Sequence, residues 1–274
     1  MTTGSDKNAQ FEGSVPAHYD RFLGPVLFEP FATDLAARLS TTAADVLELA
    51  CGTGILTRAV RKHLPGSSKL TATDLNQPML EYAQAKLAEV SGITWTLADM
   101  SALHFPSDSF DVVTCQFGLM FVPDKLAAVR EAHRTLRPGG AFLFSVWDSL
   151  EKNELQRIAH ETICRLFPND PPNFYEVPFS LNDQEELAKL LREGGFDNFE
   201  LEIISKRAVC PSARAVAIGL VYGNPLISAI RDRATLEAET VIDQIEEAIG
   251  QACGYEPAIG KMQAIVIAAR PNKH

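Results

Sequence analysis

The 274-residue sequence has no long apolar run. A membrane-spanning helix needs about 20 predominantly apolar residues, whereas the longest uncharged run, Ala215 to Ile230, is shorter and is broken by glycine, asparagine and proline. The N-terminal segment from Met1 to Ser14 is polar and has no apolar stretch after a basic start, as a secretory signal would. We therefore expect neither a membrane span nor an export signal.

Cysteine is also scarce and dispersed. Its five positions are Cys51, Cys115, Cys164, Cys210 and Cys253. They form no CxxC pair and no Cys/His cluster, which argues against a disulfide framework and against a zinc site. The sequence predicts reduced thiols in a cytoplasmic protein, with no metal ion.

Positive charge is in short supply. The chain has 25 lysines and arginines against 35 aspartates and glutamates, a formal net charge of −10. A protein of this charge is repelled by phosphate backbones unless a basic stripe compensates, and the sequence contains none. Nucleic acid is therefore a poor candidate for the substrate, and we expect a small molecule. The apolar share of 46% is typical of a globular chain with a sizeable core.

Strands alternate with helices in the first half of the sequence. The predicted strands are Asp45–Leu49, Lys69–Thr73, Ile93–Leu97, Phe110–Cys115 and Ala141–Trp147. The predicted helices are Ile55–His63, one capped by Asn76, and one marked by Leu126, Val129, His133 and Leu136. Buried strands joined by helical crossovers predict an α/β fold with a parallel sheet and helices on both faces.

The second half is more helical. The predicted helices are Glu151–Phe167, Asn182–Arg192 and most of Ser212–Cys253; the predicted strands are Asn198–Val209 and Gln263–Ala269. Without a repeat or a long linker, residues 1–274 are interpreted as a single domain. Its core comprises about 17–148, 179–210 and 259–270, with helical cap insertions at about 149–178 and 211–258. The oligomeric state stays open.

Acidic residues and glycines mark the ends of the first three strands. Gly52 and Gly54 follow the first strand and precede a helix, where a ligand can approach backbone N–H groups. Glu48 lies near the end of that buried strand, where an unpaired carboxylate is costly. Asp74 ends the second strand and suits a ribose diol. Asp99 follows the third strand and is placed to accept a hydrogen bond from an exocyclic amine.

In their order along the chain, these motifs resemble those of class I S-adenosylmethionine-dependent methyltransferases, most closely the ubiquinone/menaquinone-biosynthesis-like small-molecule branch. The matching segments are Glu48–Gly54, Asp74, Ala98–Met100, Phe105–Asp111 and Glu131–Gly140. The resemblance covers Tyr19 to Asp148 and, more loosely, the last strands. It implies a Rossmann-like seven-stranded sheet whose final strand is antiparallel and inserted between its neighbours, and it implies S-adenosylmethionine as cofactor.

The resemblance also implies roles for single residues at the methionine part of the cofactor. The turn beneath it consists of Ala50, Cys51, Gly52 and Gly54, and Ala50 stands where the family often has glycine. Glu48 is expected to support this turn. Gln116 is expected to face the methionine or the methyl group, and Tyr19 to close over the cofactor, although an aromatic in such a segment can equally belong to the core.

At the nucleoside part, the resemblance implies that Asp74 takes the ribose hydroxyls. Leu75 and Met79 are expected to flank the adenine, with Met100 packed on the ring and Asp99 at the amino group.

The acceptor end is less well defined. Methyl transfer from a sulfonium mainly requires alignment of the nucleophile and exclusion of water, and it needs a base only when the nucleophile arrives protonated. The weak candidates for a catalytic group are His18, Asp148, His160 and Tyr222. Aromatic and apolar residues that could face the acceptor, or else form the core of the cap, are Phe117, Met120, Phe121, Trp147, Phe174, Tyr175 and Tyr222. They suggest a partly hydrophobic organic acceptor; whether carbon, oxygen or nitrogen is methylated stays open.

Two alternatives remain. A nicotinamide-dependent oxidoreductase also has a glycine-rich first turn, but its fingerprint requires a third glycine where this chain has Thr57. Such an enzyme also has no use for Glu48 or Asp99. A protein that binds S-adenosylmethionine but performs other chemistry, such as a cyclase, is compatible with every motif above.

Overall fold

The computed structural model describes residues 11–272, so the first ten residues of the polar N-terminal segment lie outside it. Seven strands form one sheet in the order β3-β2-β1-β4-β5-β7-β6. The strands are β1 Asp45–Leu49, β2 Lys69–Asp74, β3 Ile93–Leu97, β4 Phe110–Gln116, β5 Leu136–Trp147, β6 Asn198–Cys210 and β7 Ala258–Arg270. Strands β1 to β5 are parallel, and β7 runs antiparallel between β5 and β6. The predicted α/β, Rossmann-like seven-stranded sheet is confirmed.

Helices cover both faces of the sheet and form the cap. In chain order they are α1 Val15–His18, a π-helical segment Tyr19–Phe28, α2 Glu29–Ala37, α3 Ile55–His63, α4 Gln77–Lys86, α5 Lys125–Thr135, α6 Glu154–Leu166, α7 Gln184–Glu193, α8 Ala213–Tyr222, α9 Leu226–Arg233 and α10 Ala238–Cys253. Short 3-10 turns lie at Leu119–Phe121, Leu150–Lys152 and Phe174–Glu176.

Local chemistry explains where several helices begin. Four N-cap residues carry a side-chain oxygen that accepts a backbone N–H of the first turn: Asn76 in α4, Asp124 in α5, Asp183 in α7 and Ser212 in α8. Such caps satisfy donors that the helix itself leaves unpaired. Each of these caps thereby fixes the residue at which its helix begins.

Several bounds differ from the prediction by one to three residues, and two strand starts differ by five. Strand β5 begins at Leu136 rather than Ala141, because Leu136 already pairs with Phe110 before an irregularity in the ladder. The helix expected to include Leu136 therefore ends at Thr135. Strand β7 begins at Ala258 rather than Gln263, because its pairing with β6 extends to the Cys210–Ala258 pair.

The cap helices pack on one another and on the N-terminal helices. Helix α10 buries an isoleucine- and valine-rich face against α8 and α6, and Gly219 of α8 lies directly against Phe22 and Leu23 of the π-helical segment. Within residues 11–272, no single helix is long and apolar enough to cross a membrane. Helices α8 and α9 together have the length and apolar composition of a membrane span, but they are bent by 77° relative to each other.

Candidate active site

A cavity of about 580 Å³ opens where the carboxyl ends of the parallel strands meet the cap. The strand ends contribute Ala50, Gly52, Asp74, Asp99 and Gln116 to its lining. The cap contributes Gln156, Phe174, Tyr175, Phe179, Leu220 and Asn224. Ligands of open α/β sheets bind at this position, outside the carboxyl ends of the strands.

Asp74 is held at the end of β2 by backbone donors. Its Oδ2 accepts the N–H of Gly52 at 2.8 Å, and its Oδ1 accepts the N–H of Asn76 at 2.7 Å. Burial raises the pKa of Asp74, an effect that these backbone N–H groups oppose. A carboxylate has about four acceptor positions, so a buried Asp74 with two of them used can still accept hydroxyl donors from the cavity.

The loops after β1 and β4 approach each other closely. Ala50, Gly52 and Phe117 all have positive φ values, of 50°, 55° and 53°. Gly118 sits between the loops, where a Cβ would overlap the Cβ of Ala50. Left-handed backbone costs a non-glycine residue roughly 1–2 kcal/mol, and such strain concentrates at binding sites. Ala50, at the position where the resemblance implies glycine, thus has the left-handed backbone that glycine adopts readily.

Glu48 is a buried carboxyl group without a partner. It lies in β1, is 1% exposed, and neither of its oxygens is hydrogen-bonded within the described part of the chain. Burial raises the pKa of Glu48 to about 8, although the neighbouring Thr57 opposes the shift. Glu48 and Cys51 line a small second space that shares Tyr19, Ala50, Gly52 and Gln116 with the main cavity. An unpaired buried carboxyl is costly, so a cation or a donor placed there would be favoured.

An apolar slot lies beside Asp74. Leu75, 67% exposed at the rim, lines it together with Met79 and Met100. Asp99 lies at the same wall, and its Oδ1 accepts the backbone N–H of Ser101 at 2.8 Å and the Ser101 hydroxyl at 2.6 Å. Two thioether side chains and a leucine can enclose a flat ring, with the Asp99 carboxylate at its edge as acceptor.

Aromatic rings form another part of the cavity lining. The Phe117 ring stacks on Trp147 at 3.8 Å between centroids, with 2° between planes, and Tyr19 stacks on Phe28 at 4.5 Å. Gln116 joins the end of β4 to the π-helical segment, because its Nε2 donates to the backbone oxygen of Phe28 at 2.9 Å. The aromatic chamber is the part of the cavity lined by Phe28, Phe117, Trp147, Phe174, Tyr175 and Phe179.

Most of the predicted cofactor residues are brought together. Those that line the main cavity are Tyr19, Ala50, Gly52, Asp74, Leu75, Met79, Asp99, Met100 and Gln116, while Glu48 and Cys51 line the adjoining small space. Gly54 lines neither. It is the residue before α3, has a φ of 77°, and packs against Ala83 and Leu87. Its role in this structure is to let the start of α3 approach α4.

None of the four weak catalytic candidates lines the cavity. His18 stacks near Tyr222, whose hydroxyl donates to Glu239 at 3.2 Å. Asp148 accepts from the Gln263 side chain at 2.5 Å. His160 lies beside Cys164, with 3.7 Å between Nε2 and Sγ. Among the predicted acceptor-facing residues, Phe117, Phe121, Trp147, Phe174 and Tyr175 line the cavity, whereas Met120 and Tyr222 do not.

Sequence analysis missed several lining residues. Phe28 and Leu27 come from the π-helical segment, and Gln156 and Asn224 come from cap helices and their ends. Gln156 carried a detectable signal, because it is an uncharged polar residue beside Leu155 on a helix with an apolar face. Phe28 and Asn224 carried none, since their placement depends on long-range packing.

These features fit S-adenosylmethionine. Asp74 can accept the ribose hydroxyls, Leu75, Met79 and Met100 can hold the purine, and the unpaired Glu48 lies beneath the turn that approaches the methionine part. A Cβ added at Gly52 would meet nothing within 4 Å, so the backbone of this turn borders open space. The fit rests on this arrangement of donors and acceptors.

Comparison with known proteins agrees with this interpretation. A family described as "Methyltransferase domain" matches residues 46–140. The demethylmenaquinone methyltransferase of Staphylococcus aureus (strain JH9) is 35% identical over 207 residues, which cover 68% of this chain and 83% of that protein. The ubiquinone/menaquinone biosynthesis C-methyltransferase UbiE of Hydrogenovibrio crunogenus is 30% identical over 173 residues, 57% of this chain and 66% of that protein.

A solved structure shows a similar fold. Phosphoethanolamine N-methyltransferase 2 of Haemonchus contortus, in complex with phosphomonomethylethanolamine and S-adenosylhomocysteine, superposes with a TM-score of 0.62. It is 14% identical, and the match covers 99% of this chain and 61% of that one. The chain belongs to the class I S-adenosylmethionine-dependent methyltransferases, in the branch of the ubiquinone and menaquinone methyltransferases. The resemblance predicted from the sequence is confirmed, and the oxidoreductase hypothesis is not supported.

Proposed function

We propose that this protein transfers the methyl group of S-adenosylmethionine to a small, partly hydrophobic organic acceptor. The observation that carries the proposal is the continuity of one cavity between the strand-end acids and the aromatic chamber. A cofactor held at Asp74 and Asp99 and an acceptor held against Trp147 would therefore share one cavity.

The cofactor supplies, when bound, an electrophilic methyl group on a positively charged sulfur. The protein then has to hold the acceptor in line, at roughly 3–3.5 Å from that methyl group, and to keep water out. Phe117 and Trp147 serve the second purpose, since their stacked rings are 6% and 4% exposed and present apolar surface to the cavity. Gln116 fixes the π-helical segment that closes the same space.

A dedicated proton acceptor is not part of the proposal. Within the described chain, the titratable residues lining the cavity are Tyr19, Asp74, Asp99, Asp124 and Tyr175. Burial raises the pKa of both tyrosines, so neither is a base near neutral pH. The carboxylates of Asp74, Asp99 and Asp124 all accept hydrogen bonds from backbone N–H groups. The arrangement suits an acceptor whose nucleophilic atom is intrinsically reactive, such as an electron-rich ring carbon or an acidic hydroxyl.

The acceptor and the setting of the reaction belong to the same proposal. A quinol-like, polyketide or terpenoid compound suits the aromatic chamber, and the names of the Staphylococcus and Hydrogenovibrio relatives point to quinone precursors. The net charge of −10 favours a small molecule over nucleic acid. The five cysteines are all unpaired, which supports a reducing, cytoplasmic location.

The test has two measurements. Calorimetry should show saturable binding of S-adenosylhomocysteine and no comparable binding of NAD. Purified protein supplied with S-adenosylmethionine and metabolite extract fractions should then form S-adenosylhomocysteine and a product heavier by one methyl group. Binding without acceptor-dependent turnover in any fraction would favour the cyclase-like alternative and contradict the proposal.

A further inference from the structure

A buried polar group at the acceptor end of the cavity has incomplete hydrogen bonding. Gln156 lies in the first turn of α6, lines the cavity and is 4% exposed. Its side-chain oxygen Oε1 is buried and has no hydrogen-bond partner in residues 11–272. An unsatisfied buried acceptor costs free energy unless a ligand satisfies it.

The other polar groups from the cap already have partners. The Tyr175 hydroxyl donates to the backbone oxygen of Leu220 at 3.3 Å, and Nδ2 of Asn224 donates to that same oxygen at 3.0 Å. One donor of each side chain is therefore used within the cap. Gln156 differs from them in having a buried oxygen atom without a hydrogen-bond partner among the described residues.

The position of Gln156 is fixed by its neighbour Asn153, which is fully buried. Nδ2 of Asn153 donates to the backbone oxygens of Asp148, Ser149 and Gln263, and its Oδ1 accepts the N–H of Gln263 at 3.0 Å. These bonds join the start of α6 to β7 and to the end of β5. A polar group on such an anchored turn is preorganised, which favours discrimination between ligands.

The charge of the lining restricts the acceptor further. In the part of the chain that the structure describes, no lysine, arginine or histidine lines the cavity, whereas Asp74, Asp99 and Asp124 do. An anionic acceptor would meet three carboxylates and no cationic side chain of the protein, and a cationic one would lie beside a cationic cofactor. A neutral acceptor avoids both penalties.

We propose that Gln156 determines acceptor specificity, by accepting a hydrogen bond at Oε1 from a hydroxyl or N–H group of a neutral aromatic acceptor. The aromatic chamber binds the ring, and Gln156 selects for the donor group. This inference rests on the proposed function, because it assumes that the acceptor occupies the chamber. It adds the requirement that the acceptor carries a hydrogen-bond donor, which methyl transfer alone does not impose.

The experiment uses neutral phenols, each paired with its methyl ether, such as naphthol and methoxynaphthalene. Their affinities are measured by calorimetry on the full-length protein saturated with S-adenosylhomocysteine. We expect the phenol of a pair to bind about tenfold more tightly than the ether, because a site with an unpaired acceptor rejects ligands without a donor. In Gln156→Leu the ratio should fall to about one, with the ether bound as tightly as before.

Two further variants keep the result interpretable. Gln156→Met preserves the length of the side chain and gives the same test if Gln156→Leu does not fold. Thr162→Val is the matched control, because Thr162 is buried on the same helix but does not line the cavity; it should keep the tenfold ratio. Equal affinity for phenol and ether in every pair, no binding of any pair, or an unchanged ratio in Gln156→Met would overturn the proposal.

A separate readout distinguishes this failure from failure of the proposed function. S-adenosylhomocysteine should bind the native protein and the Gln156 variants with equal affinity. Loss of that binding in the native protein contradicts the methyltransferase proposal itself, whereas retained binding without phenol preference contradicts only the role of Gln156. The thermal midpoint adds a check, since removal of an unsatisfied acceptor should leave it unchanged or raise it.

Discussion

Substitution of Glu48 by glutamine tests the electrostatics beneath the glycine turn. The pKa of this buried carboxyl is raised from 4.5 to about 8. Between those pH values the native protein retains a proton that the unfolded chain has lost. The free energy of unfolding therefore falls as the pH rises through this window, and the penalty is fully developed above about pH 8.

The magnitude follows from the shift. One pKa unit corresponds to about 1.4 kcal/mol. The raised pKa of Glu48 therefore lowers the free energy of unfolding by roughly 5 kcal/mol above pH 8 and by roughly 3 kcal/mol at pH 7. Glutamine has nearly the same shape and no charge. We expect ligand-free Glu48→Gln to match the native protein at pH 4.5 or below and to be increasingly more stable at higher pH.

Chemical denaturation at pH 5, 7 and 8.5 measures these differences. The control is Glu89→Gln, at an exposed position after α4, which should follow the native curve. Saturating S-adenosylmethionine should reduce the advantage of Glu48→Gln, because a positive ligand stabilises the Glu48 carboxylate. A stability difference that does not change with pH would refute the assignment of Glu48 as a desolvated, unpaired acid.

Three other substitutions test separate parts of the site. Asp74→Ala should weaken S-adenosylhomocysteine binding more than tenfold in calorimetry, because it removes the acceptor at the end of β2; unchanged affinity in a folded variant would contradict the ribose assignment. Gly118→Ala should lower the free energy of unfolding by roughly 1–3 kcal/mol, since its methyl group would overlap that of Ala50, and a melt like that of the native protein would speak against the close approach. Asn153→Ala should lower the free energy of unfolding by at least about 2 kcal/mol, because it leaves groups such as the N–H of Gln263 unpaired. Thermal melts would show a lower midpoint, and an unchanged midpoint would contradict the role of Asn153 in joining α6 to β7.

The cofactor half of the molecule was accessible to sequence analysis because its determinants are local. Strand β1 and helix α3 have the predicted bounds, and Asn76 caps α4 as expected. Each of these sequence signals spans only a few residues: a short apolar run is followed by glycine or by a helix cap. The signals follow one another in the order expected of alternating strands and helices. The strand order followed from the family resemblance rather than from any single pattern.

The acceptor half was less accessible because it depends on distant packing. The helices before Asp45 were not predicted, although they supply Phe28 and Leu27 to the cavity. His18 and Tyr222 were considered as catalytic groups, yet they face each other outside the cavity. Which face of an amphipathic helix borders a ligand, rather than another helix, is set by neighbours far away in sequence.

The pairing of β6 with β7 has an evolutionary consequence. These strands are hydrogen-bonded from Asn198–Arg270 to Cys210–Ala258, and α8, α9 and α10 all lie in the connection between them. The two ends of this connection are hydrogen-bonded neighbours in the sheet, so its length can change at small entropic cost. The connection supplies Leu220 and Asn224 to the cavity, and a lineage can therefore change this part of the cap while the loops that carry Asp74 and Asp99 stay as they are.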